Sequence, residues 1–281
     1  MNKKTITIGI SPCPNDTFIF YGLLHQKVNL EGISLSPIIQ DVEELNRLAL
    51  KGIPDITKVS FHVVGHILED YCLLPSGSAL GRGCGPLLVA DEPLVPEQLT
   101  GKRIGVPGRY TTAYLLMLLY NPGLSEQVVF MPFHLIMDEI KRGNIDAGLI
   151  IHEGRFTYQA NGLHEIIDLG KWWEEETGMP IPLGGIVAKR SLGNELLEGI
   201  SRAIQQSIIF SREHPEEACD FIQSNAQELS EDVQKRHIEL YVNDFSLNMG
   251  KEGKTAVRTL LEMGSEKGIL PTLKENIFCA V

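Results

Sequence analysis

His152 is the first polar residue after the run 146–151, which reads as a continuous apolar strand. An imidazole titrates near neutral pH, so at a strand end it can take a proton from a ligand; the same position equally suits a structural hydrogen-bonding histidine. Glu153 and Arg155 follow at once, either as solvated loop charges or as site groups, and the solvated reading fits Glu153 better. Lys58 falls inside a short strand, where a charge facing the core is costly, so it should point to a wet cleft or edge. Ser60 and Thr112 read as ordinary helix N-caps or, with Thr111, as hydroxyls at helix N-termini, where a small carboxylate is well received.

Other constellations carry less. Gly77, Gly81, Gly83 and Gly85 lack the spacing of a phosphate-binding loop and fit a β-hairpin or interlobe loop. His62 and His66 stand at i and i+4, a spacing that can hold zinc, but without the glutamate of the metalloprotease motif they read as packing or surface histidines. There is no nucleophile elbow, and no cysteine has the flanks of a nucleophilic enzyme. Cys13, Cys72, Cys84, Cys219 and Cys279 are odd in number and form no close pair, so reduced thiols in a cytoplasm are expected. One of Trp172 and Trp173 should be core and the other cleft or surface.

Elements that could position these groups follow from periodicity. A strand at 5–10 runs through SPCPND into a helix at 17–26, bringing Ser11 and Asn15 to a strand end. Asp41 and Glu44 form a capping box for the helix that stops at Gly52. Strand 55–59 ends at Ser60, which should cap the helix 61–69. Further strands are expected at 71–74, 86–90, 104–106, 128–131, 166–169 and 184–188. Helices are expected at 113–120, 135–142, 196–212, 215–226, 230–242 and 251–267. The acidic, proline-containing DEPLVPEQL segment is taken as the crossing to a second lobe. This predicts lobe 1 from residues 1–98 plus 191–281, with the helical tail packed on it, and lobe 2 from 99–190. Alternating strands and helices imply mostly parallel sheets, whose ligands bind beyond the carboxyl ends of strands. The expected fold is therefore α/β of the periplasmic-binding-protein type II architecture, two lobes with a ligand cleft between them.

Composition narrows the partners. A chain of 281 residues has room for two compact cores, and 43% hydrophobic against 22% charged residues argues against disorder. A net charge of −11 disfavours nucleic acid and anionic lipid, and no stretch approaches the ~18 apolar residues of a membrane span. The N-terminal apolar run is too short and too polar for a secretory signal, so a cytoplasmic protein is expected.

Taken together, SPCPNDTFIFY, TKVS, PSGSALGRGCGPLLVA, VPGRYTTAYLL, AGLIIHEGRFTY, DLGKWWEEETGMPIPLGGIVAKR and NDFSLNMGKEG resemble the 1,4-dihydroxy-6-naphthoate synthase family of the futalosine route to menaquinone. The resemblance runs nearly end to end. It implies a lyase that converts cyclic dehypoxanthinyl futalosine to 1,4-dihydroxy-6-naphthoate and a three-carbon sugar fragment, without metal or organic cofactor. Carried onto this chain, the proton acceptor falls on His152 and substrate binding on Lys58, Val59, Ser60, Thr112 and Ala113. Ser11, Asn15, Thr111 and Arg155 are expected as further cleft residues around a small carboxylate-bearing substrate. Chorismate dehydratase of the same pathway is the nearest alternative, and HEGRFTY and WWEEETG favour the synthase. A non-catalytic binder of small carboxylates would need a signal or anchor, and a regulator a helix-turn-helix; a first strand at about residue 5 leaves room for neither.

Overall fold

The computed structural model describes residues 4–227, 230–273 and 276–280. β1 (Lys4–Ile10) is rich in isoleucine and threonine, and its last three residues are buried on both faces. It turns into α1 (Pro14–Leu24), which starts three residues ahead of the expected Thr17 because Pro14 supplies a pre-set first helical φ. β2 (Ile33–Ile39) pairs with β1 at the sheet edge, where Pro37 is tolerated. Asp41 caps α2 (Val42–Leu50) by accepting from Glu43 N, while Glu44 turns to Arg47 instead of closing the expected box. β3 (Ile56–Ser60) is buried throughout and leads directly into α3 (Phe61–Ile67). β4 (Tyr71–Leu73) and β5 (Ala79–Gly81) complete the first passage.

The chain then changes sheets. β6 (Leu87–Ala90), β7 (Ile104–Val106), α4 (Thr112–Tyr120), β8 (Val128–Phe130), α5 (Ile136–Lys141), β9 (Ala147–Ile150), α6 (Gly154–Thr157), β10 (His164–Asp168) and α7 (Leu169–Thr177) follow. β11 (Ile181–Lys189) returns to the first sheet and leads to α8 (Asn194–Glu213), α9 (Pro215–Asn225), α10 (Glu231–Tyr241), α11 (Asp244–Leu247) and α12 (Gly250–Glu266). The six-stranded sheet has the order β2-β1-β3-β11-β4 with β5 also on β11; the five-stranded sheet has the order β10-β6-β9-β7-β8.

Three expectations are corrected here. The crossing precedes β6, in the glycine-rich loop, and the return precedes β11, so the boundaries at 98/99 and 190/191 do not match sheet membership. DEPLVPEQL is a connection within the second sheet; β6 is buried on both faces and lies between β9 and β10. At the crossing Gly85 lies against Gly170 so closely that a Cβ on Gly85 would sit 2.3 Å from the Gly170 Cα. Second, the sheets are mixed. β1 is parallel to β2 and β3, but β11 is antiparallel to β3, β4 and β5, and β6 is antiparallel to β9 and β10. A strand that enters a sheet from the other lobe need not keep the direction a crossover helix imposes.

Third, Cys72 and Cys279 form a disulfide, with Cα atoms 5.0 Å apart and 207 residues between them. The C-terminal segment lies along β4, with Leu73 N donating to Ile277 O and Cys279 N to Leu73 O. Sequence spacing could not show this pair, since it depends on where the tail docks. In the tail, α8 packs on α1: its Ser207 and Ser211 donate to the Ile19 and Phe18 carbonyls. Trp173 is the core tryptophan, its indole N–H on the Pro180 carbonyl, while half-buried Trp172 meets Tyr120 edge-on.

Candidate active site

Buried Lys58 needs a counter-charge, and the turn after β1 provides it. Lys58 Nζ lies 2.7 Å from Asp16 Oδ1, both residues almost wholly buried. Asp16 also accepts from Ser11 N, Ser11 Oγ and Asn15 Nδ2, at 3.2, 2.7 and 2.8 Å. Lys58 does line the cleft as predicted, but as half of an ion pair rather than as a free cation. Asp16 was not singled out by the sequence reading, although a lysine in a fully buried strand already demands an acid nearby.

His152 follows β9 with φ 54°, the left-handed region that a non-glycine residue rarely adopts. That turn sets the ring in the cleft between Phe133, at 4.9 Å, and His237, at 6.1 Å and nearly parallel. Its Nε2 stands 4.0 Å from Cys13 Sγ. Burial, and after it the charge of Glu153, raises the Cys13 thiol well above its usual range, so Cys13 stays protonated and can donate to that nitrogen. This is the opposite of an activated cysteine nucleophile.

The two charges after His152 exchange their expected roles. Glu153, expected as a solvated loop charge, is 5% exposed and neither carboxylate oxygen has a hydrogen-bond partner among the described residues. Arg155, expected at the cleft, donates instead to Gly85 O at 2.7 Å and Asp168 Oδ2 at 2.6 Å. It ties the end of β10 to the crossing loop. A partly buried guanidinium with a bidentate choice of carbonyl and carboxylate has no reason to face a cleft.

The rest of the wall comes from β3 and α4. Thr111 is the true cap of α4, its Oγ1 accepting from Tyr114 N. Thr112 is committed elsewhere: its hydroxyl accepts from Phe61 N and donates to Leu183 O. What α4 offers a ligand is therefore the first-turn N–H groups of Thr112 and Ala113, which have no intrahelical acceptor, on two residues that line the cleft. Ser60 does not cap α3 through its side chain; its Oγ accepts from Asn46 Nδ2 at 3.2 Å, leaving the hydroxyl proton free to donate. Beside them Gly184 of β11 packs so tightly that a Cβ would lie 2.8 Å from Val59 O. Across the lobes, Glu43 of α2 accepts from Arg109 N and Tyr110 N just before α4, at 3.0 and 3.1 Å; burial raises its carboxyl even so.

The cleft encloses a cavity of about 80 Å³, below the usual ~300–1,000 Å³ of small-molecule sites. Among the described residues no three His, Cys, Asp or Glu side chains converge as a metal site, and no helix is long and apolar enough to cross a membrane.

A family model for menaquinone biosynthesis matches residues 6–266. The chain is also 46% identical over 98% of its length to the 1,4-dihydroxy-6-naphthoate synthase of Thermus thermophilus, covering 99% of that protein. It is 43% identical to the enzyme of the same name from Streptomyces coelicolor, covering 97% of each chain. The chain belongs to the menaquinone biosynthesis family. Among solved structures, it superposes on a protein of Archaeoglobus fulgidus with TM-score 0.89 at 37% identity, over 95% of this chain and 98% of that one. A Candida albicans protein with the generic periplasmic binding protein fold matches at TM-score 0.68 and 15% identity, over 96% and 92% of the two chains. That likeness shows the two-lobed binding-protein fold expected from the sequence.

In this menaquinone biosynthesis family member the cleft gathers all of Ser11, Asn15, Lys58, Val59, Ser60, Thr111, Thr112, Ala113 and His152, and leaves out Arg155. It adds His237 and Tyr241 of α10, which the sequence reading passed over as part of an amphipathic tail helix. His237 is fully buried, with Nε2 2.9 Å from Asn15 Oδ1. Burial, then the charges of His152 and Lys58, hold its pKa well below the usual range. Tyr241 donates to Cys84 O at 3.3 Å, and its buried phenol is raised well above its usual range. No local motif marks either residue.

Proposed function

We propose that this protein is a 1,4-dihydroxy-6-naphthoate synthase, a carbon–carbon lyase acting on cyclic dehypoxanthinyl futalosine in the cytoplasm. The observation that carries the reading is His152, set by a left-handed backbone in a cleft that the N-terminus of α4 also lines. The end-to-end similarity to two enzymes of that name supports the product, and the family resemblance implies the substrate.

In this scheme the substrate carboxylate lies on the Thr112 and Ala113 N–H groups, with Ser60 Oγ and the remaining protons of Lys58 as further donors. Pairing with Asp16 makes Lys58 a hydrogen-bond donor of fixed position rather than a source of net charge. His152 removes a proton, a carbon–carbon bond breaks in the retro-aldol sense, and its electrons pass into the ring that becomes aromatic. The same N–H groups hold negative charge as it develops. A cytoplasmic setting requires that Cys72–Cys279 resist the thiol pool, and both sulfurs are buried.

The test is to incubate the purified protein with cyclic dehypoxanthinyl futalosine and detect the naphthoate by chromatography. Turnover is expected. Tight binding without product would replace the enzyme with a binding protein.

A further inference from the structure

The cleft offers both donors and acceptors. The donors are the N–H groups of Thr112 and Ala113, Ser60 Oγ and Lys58 Nζ. Around His152 the unsatisfied atoms are acceptors. Glu153 Oε1 and Oε2 and His237 Nδ1 are all buried without a hydrogen-bond partner among the described residues.

The protonation of His237 follows from its neighbours. Asn15 Nδ2 must donate to the Asp16 carboxylate, which only accepts, so Asn15 turns its Oδ1 to His237. His237 Nε2 therefore carries the proton, and in the neutral ring Nδ1 is a lone pair. Ring stacking sets it beside His152, at 6.1 Å between centroids, with the Tyr241 ring at 4.6 Å, and all three residues line the cleft. The Glu153 carboxylate is close enough to Cys13 and Tyr241 for its charge to raise both. A buried acceptor left unpaired is costly, so the His237 Nδ1 lone pair on a residue that lines the cleft calls for a ligand that brings a hydrogen-bond donor.

We propose that His237 forms a hydroxyl-binding subsite beside His152, which takes the polyol part of the substrate and sets its hydroxyl-bearing carbons against the proton acceptor. This rests on the naphthoate synthase reading for the choice of probe; the unpaired acceptor on His237 stands on the geometry.

The test compares cyclic dehypoxanthinyl futalosine with an analogue in which the hydroxyls of its sugar-derived part are replaced by hydrogen, on wild type and His237→Phe, by calorimetric affinity and by turnover. Wild type should bind the deoxy analogue at least roughly ten-fold more weakly, as expected when one buried hydrogen bond is lost and its partner is left unpaired. His237→Phe should bind the parent compound more weakly and discriminate much less between the two. Equal affinity of wild type for both ligands overturns the subsite, whether or not either is turned over. Binding with discrimination but no product supports the subsite and overturns the function. If His237→Phe does not fold, nitrogen NMR of the wild type decides: the unprotonated Nδ1 resonance of His237 should move when the parent compound binds. A proton found on Nδ1 in the free protein, or no shift on binding, overturns the proposal.

Discussion

Lys58 and Asp16 show how a charge that sequence places in a strand is accommodated in three dimensions. Removing one partner of a buried ion pair strands the other, so Asp16→Asn or Lys58→Met should each destabilise the protein by about 3–5 kcal/mol, with the double variant far less affected. Chemical denaturation of the three variants measures the coupling; additive losses would show that the two charges do not act as a pair. His62 carries a pH dependence of the fold. Burial, and then the charge of His66, holds its pKa at about 4 against an ordinary value of 6.5, while its Nδ1 donates to the Thr111 carbonyl. The unfolded chain binds the proton first, so stability is present above about pH 6.5 and falls as pH drops toward 4. The shift corresponds to roughly 3 kcal/mol. In His62→Gln the acid loss over that window should shrink, with His237 supplying a remainder of the same sign. Much at this scale was legible: His152, Lys58, Ser60 and Thr112 all stand where strand ends predicted them. Asp16, His237 and the burial of Glu153 were not, because each depends on a partner distant in the chain or on how a tail helix docks.

Elements decide which atoms of those residues are offered. Thr112 was read as a hydroxyl at a helix start, but Phe61 N and Leu183 O consume that hydroxyl, and the helix presents its backbone instead. Thr112→Val should thus act on the joint between α3, α4 and β11 and lower stability by about 1–3 kcal/mol through the unpaired Phe61 N–H and Leu183 carbonyl. A variant with a lower melting temperature but unchanged KM fits this role; a raised KM at unchanged stability would return the hydroxyl to the ligand. Strands and helices themselves were largely visible from periodicity. Their directions within the sheets were not, since antiparallel β6 and β11 arrive from the other lobe and leave no local trace.

For the whole molecule, the closed arrangement of the lobes depends on contacts that cross between the sheets. Glu43 is the clearest of them. Its carboxylate on α2 receives the Arg109 and Tyr110 N–H groups, and Asn46 beside it donates to Tyr110 O and to Ser60 Oγ. One carboxylate thereby sets the loop that orients α4 against β3, and so holds the second sheet, which carries both the α4 N-terminus and His152, against the first. Ligand binding should then be coupled to closure, because a ligand bridging α4 and the β1 turn adds contacts available only in the closed form. Glu43→Ala leaves two backbone donors without their acceptor and biases the lobes open. Small-angle scattering of the free variant should give a larger radius of gyration than wild type, and saturating ligand should restore the compact value at a raised KM. The disulfide lies outside this hinge, within the first lobe, so Cys279→Ser should lower the melting temperature, by the equivalent of about 2–4 kcal/mol, without changing scattering or KM. If instead Glu43→Ala scatters and turns over as wild type does, closure is held by packing between the lobes, and the carboxylate does no more than satisfy two amides.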